Sequence, residues 1–208
     1  MRSDWLPVYQ GSARKQSATT GVARGPGLAY IRRTMRPNIY LVGPRAGGKT
    51  TLGLALAHAL GRDFADTDAL FVQKWGQSIA DFVAERGWDA FRDEETRVLE
   101  AVDRAPGRVI ACGGGMVLRP RNRELLARGL TLALLAEPSV LAARLARDPA
   151  EAQRPSLTGK PLLDEVAEIL AEREPLYRAS ALAVLDAALP LEDLLARALT
   201  ALDSEPHS

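Results

Sequence analysis

Short apolar runs alternate with helix-like amphipathic stretches along the chain from residue 38 onward. The runs that predict strands are Ile39 to Val42, Phe64 to Asp66, Arg108 to Cys112, Leu130 to Leu135 and Leu182 to Leu185. The helical patterns include Leu52 to Leu60, Ala69 to Trp75, Ile79 to Glu85, Ser139 to Arg147 and Leu162 to Tyr177. Strands that alternate with helices are typical of a largely parallel sheet covered on both faces. We therefore predict an α/β fold, a three-layer sandwich around a five-stranded parallel sheet.

The leading segment, residues 1–36, differs from the rest. Residues 1–37 hold seven basic side chains and one acidic, whereas the remainder holds twenty basic and twenty-five acidic. The segment is rich in Gly, Ser, Thr and Arg and lacks hydrophobic periodicity, which predicts poor order. Three explanations stay open: a true start at Met35, an organelle transit segment, or a basic arm that touches nucleic acid. We favour the first, and we predict one folded domain over residues 37–203 and a tail over 204–208.

Composition excludes several classes of protein. The chain has 208 residues, 47% of them apolar and 25% charged, which is ordinary for a single globular domain. It has no run of 18 apolar residues, so a membrane-spanning helix is not indicated. Its single cysteine, Cys112, has no second cysteine with which to form an internal disulfide. We expect a cytoplasmic monomer with no membrane partner and no nucleic-acid partner.

Residues 43–50 carry the most specific motif. They read Gly-Pro-Arg-Ala-Gly-Gly-Lys-Thr, a complete GxxxxGKT phosphate loop, between a predicted strand and a predicted helix. Such a loop directs backbone N–H groups and the positive end of the following helix at phosphate oxygens. Lys49 would reach the outer phosphates and Thr50 would offer its hydroxyl to Mg²⁺. The motif predicts that the chain binds a nucleoside triphosphate, but it does not identify the phosphate acceptor.

Two further motifs follow predicted strands and belong at the same carboxyl edge of the sheet. Asp66-Thr67-Asp68 follows the second strand, and alternation along an extended segment would turn Asp66 toward the metal and Asp68 toward an acceptor hydroxyl. A helix cap at Asp68 is the alternative. Gly113-Gly114-Gly115 follows the third strand, where bare backbone permits close approach of a ligand. This loop should line the acceptor pocket opposite Asp68.

A long polar connection and two arginines complete the candidate chemistry. Residues 148–161 contain three prolines, a glycine and two basic residues, which favours a functional lid over a passive linker. Arg92 and Arg173 lie on predicted helices, and on chemistry alone each is more simply explained as a solvated or ion-paired side chain.

Together these motifs resemble the shikimate kinases, most closely the second bacterial type. The residues that carry the resemblance are the phosphate loop, Asp66-Thr67-Asp68, Phe91-Arg92, Gly113-Gly114-Gly115, Arg154-Pro155 and the stretch from Arg173 to Tyr177. They occur in the family's order across about residues 38–200. The resemblance implies a P-loop fold like that of nucleoside monophosphate kinases, with a lid, and ATP-dependent phosphorylation of the 3-hydroxyl of shikimate on the route to aromatic amino acids.

The resemblance also implies roles for individual residues. Asp68 would orient the 3-hydroxyl, and Arg92 and Arg173 would bind the shikimate carboxylate, to which guanidinium groups are well matched. Arg154 would neutralise the transferring phosphoryl group, and Arg147 would pack on adenine. The expected ATP-binding residues are Gly43, Arg45, Ala46, Gly47, Gly48, Lys49, Thr50, Thr51, Arg147 and Arg154. The expected substrate-binding residues are Asp68, Arg92, Gly113, Gly114, Gly115 and Arg173. One Mg²⁺ per subunit would be held through Thr50 and Asp66, and the expected catalytic residues are Lys49, Asp68 and Arg154.

Two other functions fit parts of the pattern. Another small-molecule kinase of this fold would accept gluconate or a nucleoside monophosphate, although a nucleotide acceptor would call for base-recognising groups. A regulator could bind ATP without transferring phosphate. Asp68, Arg154 and Arg173 argue against the regulator, because a sensor has no need of an acceptor site.

Overall fold

The computed structural model describes residues 36–147 and 159–204. Its elements in chain order are β1 (Ile39–Val42), α1 (Lys49–Leu60), β2 (Phe64–Asp66), α2 (Thr67–Trp75), α3 (Ile79–Asp103), β3 (Val109–Ala111), a 3-10 turn (Met116–Leu118), α4 (Pro120–Leu126), β4 (Leu130–Leu135), α5 (Pro138–Arg147), α6 (Leu162–Ser180), β5 (Ala183–Asp186) and α7 (Leu191–Asp203). Among the helices of these two ranges, none has the length and apolarity that crossing a bilayer requires.

The five strands form one parallel sheet in the order β2-β3-β1-β4-β5. Strand β1 lies at the centre, where Leu41 pairs with Ala111 of β3 on one side and with Leu132 of β4 on the other. The chain therefore leaves β1 at the point where the strand order reverses, which is where open α/β sheets bind their ligands. The predicted strands and the parallel sheet are confirmed.

Side chains of β1 point alternately into two separate hydrophobic cores. Ile39 and Leu41 pack on one face with buried residues of α1 and α7. Tyr40 and Val42 pack on the other face with buried residues of α2 through α6. Since successive residues of a strand face opposite sides of a sheet, near-continuous apolar strands are what a sheet covered on both faces requires. The three-layer arrangement is confirmed.

Helix boundaries agree with the sequence signals at some ends and differ at others. Ser78 caps α3 as predicted, because its hydroxyl accepts a hydrogen bond of 3.1 Å from the Asp81 amide. The helix predicted over Ile79 to Glu85 is only the start of α3, which continues to Asp103 past a non-helical Gly87. The extended α3 is important because its second half carries Arg92 to the carboxyl edge of the sheet.

A cluster of hydrogen-bonded polar residues lies at the amino-terminal edge of the sheet, opposite the carboxyl edge that carries the phosphate loop. The Tyr40 hydroxyl donates to the Asp103 carboxylate, and the Asn38 side-chain amide donates to the Asp103 carbonyl at 3.3 Å. Tyr40 is fully buried, and burial together with Asp103 raises the pKa of its hydroxyl well above the usual value. The cluster attaches β1 to the end of α3, far along the strands from the phosphate loop.

Candidate active site

The phosphate loop links the carboxyl end of β1 to the first turn of α1. Gly48 caps α1 in a left-handed conformation, with φ of 80°, and Ala46 is the one described non-glycine residue with a positive φ, 56°. The Lys49 ammonium donates hydrogen bonds to the carbonyls of Gly43 and Pro44 at 2.9 and 2.6 Å. These bonds hold the Lys49 side chain against the loop. The same loop is expected to bind the nucleotide phosphates that Lys49 would contact.

A cavity of about 880 Å³ opens above this loop. Seven residues of the predicted ATP site line it: Arg45, Ala46, Gly47, Gly48, Lys49, Thr50 and Thr51. Gly43 supports the loop from behind, because a Cβ at this position would collide with the Leu134 carbonyl oxygen of β4. A cavity of this size is in the range that binds a nucleotide-sized ligand.

Asp66 joins the phosphate loop to the next strand of the site. Its carboxylate accepts hydrogen bonds from the Thr50 hydroxyl at 2.7 Å and from the amides of Asp68 and Ala69 at 3.0 and 3.2 Å. Asp66 is thus the N-cap of α2. The alternative of a helix cap at Asp68 is therefore wrong, and so is the assumption that the Asp-Thr-Asp triplet is extended throughout, because α2 already begins at Thr67.

The middle residue of the triplet anchors the triple glycine. The buried Thr67 hydroxyl accepts a hydrogen bond of 2.9 Å from the Gly113 amide. A Cβ on Gly113 would lie 2.6 Å from carboxylate oxygens of both Asp68 and Glu95, and one on Gly115 would collide with the Arg92 guanidinium. The glycines thus leave room for charged side chains to approach the backbone closely.

These charged side chains surround a second cavity of about 50 Å³ beside the first. Its lining residues are Arg45, Asp68, Ile79, Trp88, Phe91, Arg92, Glu95, Gly114, Gly115 and Arg173. Three guanidinium groups and two carboxylates therefore line this cavity together with apolar and aromatic side chains. The structure brings together the predicted substrate residues Asp68, Arg92 and Arg173 with Gly113, Gly114 and Gly115.

Glu95 is a charged residue of this cavity that the sequence analysis missed. Its side chain is 3% exposed and accepts a hydrogen bond of 2.5 Å from Arg92, one helical turn away on α3. Burial raises the pKa of Glu95 to about 7, the positive charge of Arg92 opposes that rise, and the negative charge of Asp68 adds to it. The spacing Arg92-x-x-Glu95 was the available signal, but many helical surfaces carry such pairs.

Arg173 reaches the cavity from α6 and is only partly satisfied by the protein. Its Nη1 lies 3.5 Å from the Gly114 carbonyl oxygen, and its buried Nε has no hydrogen-bond partner. A buried donor without a partner is costly, so it is usually matched by a ligand or by water. The side chain is therefore suited to an anionic ligand entering the cavity.

Arg144, three residues before the predicted Arg147, contacts the phosphate loop. Arg144 lines the cavity and donates to the carbonyls of Ala46 and Ala187 at 3.3 and 2.8 Å. Arg147 is exposed at the end of α5 and is not among the described lining residues. Arg154 and most of the predicted lid, residues 148–158, lie outside the described residues, as do residues 1–35 and 205–208.

The two cavities meet at three residues. Arg45, Asp68 and Gly114 line both of them. The large cavity lies over a phosphate-binding loop and the small one holds groups that suit a hydroxylated carboxylate. The arrangement can therefore place a donor phosphate and an acceptor hydroxyl on either side of Asp68.

Comparisons with known proteins agree with this chemistry. The family model described as shikimate kinase matches residues 45–203. Shikimate kinase 2 of Yersinia enterocolitica is 48% identical over 172 residues, which are 82% of this chain and 98% of that protein. A solved shikimate kinase of Acinetobacter baumannii, in complex with shikimate, has a TM-score of 0.77 and 33% identity over 86% of this chain and 99% of its own.

A more distant solved structure shares the fold alone. A gluconokinase of Sinorhizobium meliloti has a TM-score of 0.52 at 22% identity over 81% of this chain and 93% of its own. The family match covers most of the folded domain, and the relatives align over nearly their whole length. The chain belongs to the shikimate kinase family and is an ATP-dependent kinase of shikimate in aromatic amino acid biosynthesis.

Proposed function

We propose that the enzyme transfers the γ-phosphoryl group of ATP to the 3-hydroxyl of shikimate across the junction of its two cavities. The observation that carries the proposal is that Arg45, Asp68 and Gly114 line both the donor and the acceptor cavity. Phosphoryl transfer depends chiefly on in-line positioning and on stabilisation of charge, and a shared wall between two sites supplies both. Asp68 would orient the hydroxyl at this wall and accept its hydrogen bond.

The donor half would bind ATP mainly through backbone groups. The amides of Gly47, Gly48 and Lys49 would contact phosphate oxygens at the start of α1, whose positive end favours negative charge. Lys49 would exchange its bonds to the Gly43 and Pro44 carbonyls for contacts to the outer phosphates. Arg144 would hold the phosphate loop and the segment at Ala187 on either side of the nucleoside.

Mg²⁺ would be bound beside the phosphates at Thr50 and Asp66. The fit rests on chemistry, because a hydroxyl and a carboxylate are hard oxygen donors and lie 2.7 Å apart in the donor cavity. No group of three or more potential metal-binding side chains occurs in the part of the chain that the structure describes. A dedicated protein cage is not required, since Mg²⁺ keeps waters and binds substrate phosphates. The ion would neutralise charge on the phosphate oxygens.

The acceptor half would recognise shikimate through opposite charges. Arg92 and Arg173 would bind the carboxylate, where the unpartnered Nε of Arg173 gains an acceptor. The ring hydroxyls would bind Asp68 and the backbone of the triple glycine. The small volume of this cavity, about 50 Å³, means that Arg92, Arg173 or Arg45 side chains move when shikimate enters.

Some expectations remain predictions. By resemblance, Arg154 would supply further positive charge to the transferring phosphoryl group, a contribution of about 10³ to 10⁵ in rate for an arginine of this kind. The cytoplasmic location, the monomeric state and a folded domain over residues 37–203 likewise stay predictions.

A coupled assay of ADP release with shikimate, gluconate and AMP as parallel acceptors tests the proposed reaction. We expect ADP release with shikimate alone and a product phosphorylated at the 3-hydroxyl, read from the coupling of phosphorus to the ring proton by NMR. Phosphate on another hydroxyl would contradict the proposed orientation by Asp68. Release with gluconate or AMP at a similar kcat/KM would contradict the acceptor site.

A further inference from the structure

Tyr177 lies behind the acceptor cavity, on the helix α6 that also carries Arg173. Its ring is 1% exposed, and its hydroxyl donates a hydrogen bond of 2.5 Å to the Gly114 carbonyl oxygen. Gly114 is one of the three residues shared by the donor and acceptor cavities. The tyrosine therefore contacts the backbone at the junction where transfer would occur, without lining either cavity itself.

The carbonyl that Tyr177 binds is also within reach of the substrate-binding arginine. Arg173 Nη1 lies 3.5 Å from the Gly114 oxygen, at the limit of hydrogen bonding, whereas the Tyr177 bond is short. Tyr177 and Arg173 are four residues apart on α6, so their side chains emerge from the same face of the helix. Among the described side chains, Arg173 is the other donor that reaches this carbonyl.

The hydroxyl is a dependable donor at neutral pH. Burial raises the pKa of Tyr177 to about 12, while Arg173 and Arg92 nearby oppose that rise. The group thus stays protonated and can donate its one hydrogen to Gly114.

We propose that Tyr177 is a positioning residue for the acceptor site, which holds the Gly114 carbonyl and so keeps the Arg173 guanidinium available for the substrate carboxylate. The proposal rests on the proposed function, which assigns Arg173 to the carboxylate of shikimate. If Arg173 turned to the Gly114 carbonyl, it would lose a donor for the substrate, and the glycine loop beside Asp68 would shift. Both effects weaken acceptor binding and leave the ATP side intact.

Tyr40 provides a matched control within the same fold. It is equally buried, its hydroxyl also donates to one protein acceptor, and that acceptor, Asp103, lies at the opposite edge of the sheet. Tyr40→Phe and Tyr177→Phe each remove one hydroxyl from a buried ring. A purely structural role for both hydroxyls would lower the melting temperature in each variant and leave the KM for shikimate unchanged.

The test measures kcat and both KM values for the wild-type chain, Tyr40→Phe, Tyr177→Phe, Arg173→Lys and the double variant Tyr177→Phe/Arg173→Lys. We expect Tyr177→Phe to raise the KM for shikimate about tenfold, the loss typical of one buried hydrogen bond, with the KM for ATP unchanged. Tyr40→Phe should leave both KM values unchanged. In the Arg173→Lys background the Tyr177→Phe effect should shrink, because the hydroxyl acts through Arg173.

Each contrary outcome overturns the inference. If the KM for shikimate rises equally in Tyr40→Phe and Tyr177→Phe, the Tyr177 hydroxyl has a structural role. The same follows if the KM for ATP rises together with the KM for shikimate. If the KM for shikimate rises in Arg173→Lys but not in Tyr177→Phe, the role of Tyr177 is refuted and the proposed acceptor site stands. If it rises in neither of these two variants, the proposed acceptor site is refuted as well. If Tyr177→Phe melts below the assay temperature, the same series is measured in the cold, where circular dichroism shows all variants folded.

Discussion

The donor half and the acceptor half of the proposed site differ in how their residues are distributed along the chain. The donor half is a cavity of about 880 Å³ lined by seven consecutive residues of the phosphate loop and the start of α1. The acceptor half is a cavity of about 50 Å³ enclosed by ionic side chains from distant parts of the chain. A phosphate chain can be bound by a local loop, whereas a small hydroxylated carboxylate needs charges assembled by the tertiary fold.

The difference predicts that substitutions separate into two classes. Changes at the acceptor side chains should alter the KM for shikimate, and changes beside the phosphate loop should alter the KM for ATP. A change at Asp68, at the junction, should chiefly lower kcat.

Asp68 at the junction should give the largest effect. Asp68→Asn removes the negative charge and replaces one acceptor oxygen by an amide donor, so kcat should fall by about 10² to 10⁴, with smaller changes in either KM. Steady-state kinetics with each substrate varied measures the effect. Asp89→Asn, on the exposed surface of α3, is the matched control and should behave as the wild type. A loss confined to the KM for shikimate would place Asp68 in the acceptor half alone.

Arg92→Lys should act on the acceptor half alone. Lysine keeps the charge but loses the planar pair of donors, and it also loses the geometry of the bond to Glu95. We expect the KM for shikimate to rise about 10- to 100-fold while the KM for ATP stays constant. Arg97→Lys on the same helix, with 65% of its side chain exposed, is the control and should change neither value. Equal rises in both KM values for Arg92→Lys would break the division into halves.

Arg144→Met should act on the donor half alone. It removes two hydrogen bonds that join the phosphate loop to the segment at Ala187, so the KM for ATP should rise about 3- to 10-fold with the KM for shikimate unchanged. Arg147→Met tests the competing assignment that the family resemblance suggested. A larger rise in the KM for ATP from Arg147→Met would show that the exposed arginine, rather than Arg144, serves the nucleotide.

The pKa of Glu95 should make acceptor binding depend on pH. Below about pH 7 Glu95 is protonated, and the cavity then carries the positive charges of Arg45, Arg92 and Arg173 against the negative charge of Asp68 alone. Above that pH Glu95 adds a negative charge, so the KM for shikimate should rise about fivefold between pH 6 and pH 8. Initial rates at fixed saturating ATP measure it, and Glu95→Gln should flatten the profile. An unchanged slope in Glu95→Gln would assign the titration to another group.

The same shift affects folding stability with a defined sign. The pKa of Glu95 rises from 4.5 to about 7 on folding, so the folded state binds its proton more tightly. The contribution of Glu95 to the free energy of unfolding is fully present below pH 4.5 and is lost as the pH rises through 7. Urea unfolding at pH 5 and pH 8 should therefore differ less in Glu95→Gln than in the wild-type chain.

The placement of the phosphate loop residues around one cavity could be predicted because they are consecutive in the chain. The glycine pattern of residues 43–48, Lys49 and Thr50 are neighbours in the chain, and the strand and helix around them follow from apolar periodicity. The parallel sheet then placed Asp66 and the triple glycine at the same edge. Strand direction alone was sufficient for that step.

The acceptor half was less predictable because burial decides its chemistry. Glu95 looks like one more acid on a helix until the fold buries it to 3% exposure beside Arg92. Asp66, not Asp68, caps α2, since the helix begins at Thr67, two residues earlier than an extended triplet would allow. Arg144 and Arg147 lie one turn apart, and only their packing separates the lining residue from the exposed one. Such choices depend on tertiary contacts that no local pattern records.

The division of the site into two halves is tested most directly by calorimetric titration of shikimate, without nucleotide, into the wild-type chain, Arg92→Lys and Arg144→Met. We predict that shikimate binds the wild-type chain in the absence of ATP, that Arg92→Lys weakens its Kd about 10- to 100-fold, and that Arg144→Met leaves it unchanged. Loss of shikimate binding in Arg144→Met with retention in Arg92→Lys would contradict the assignment of the two cavities.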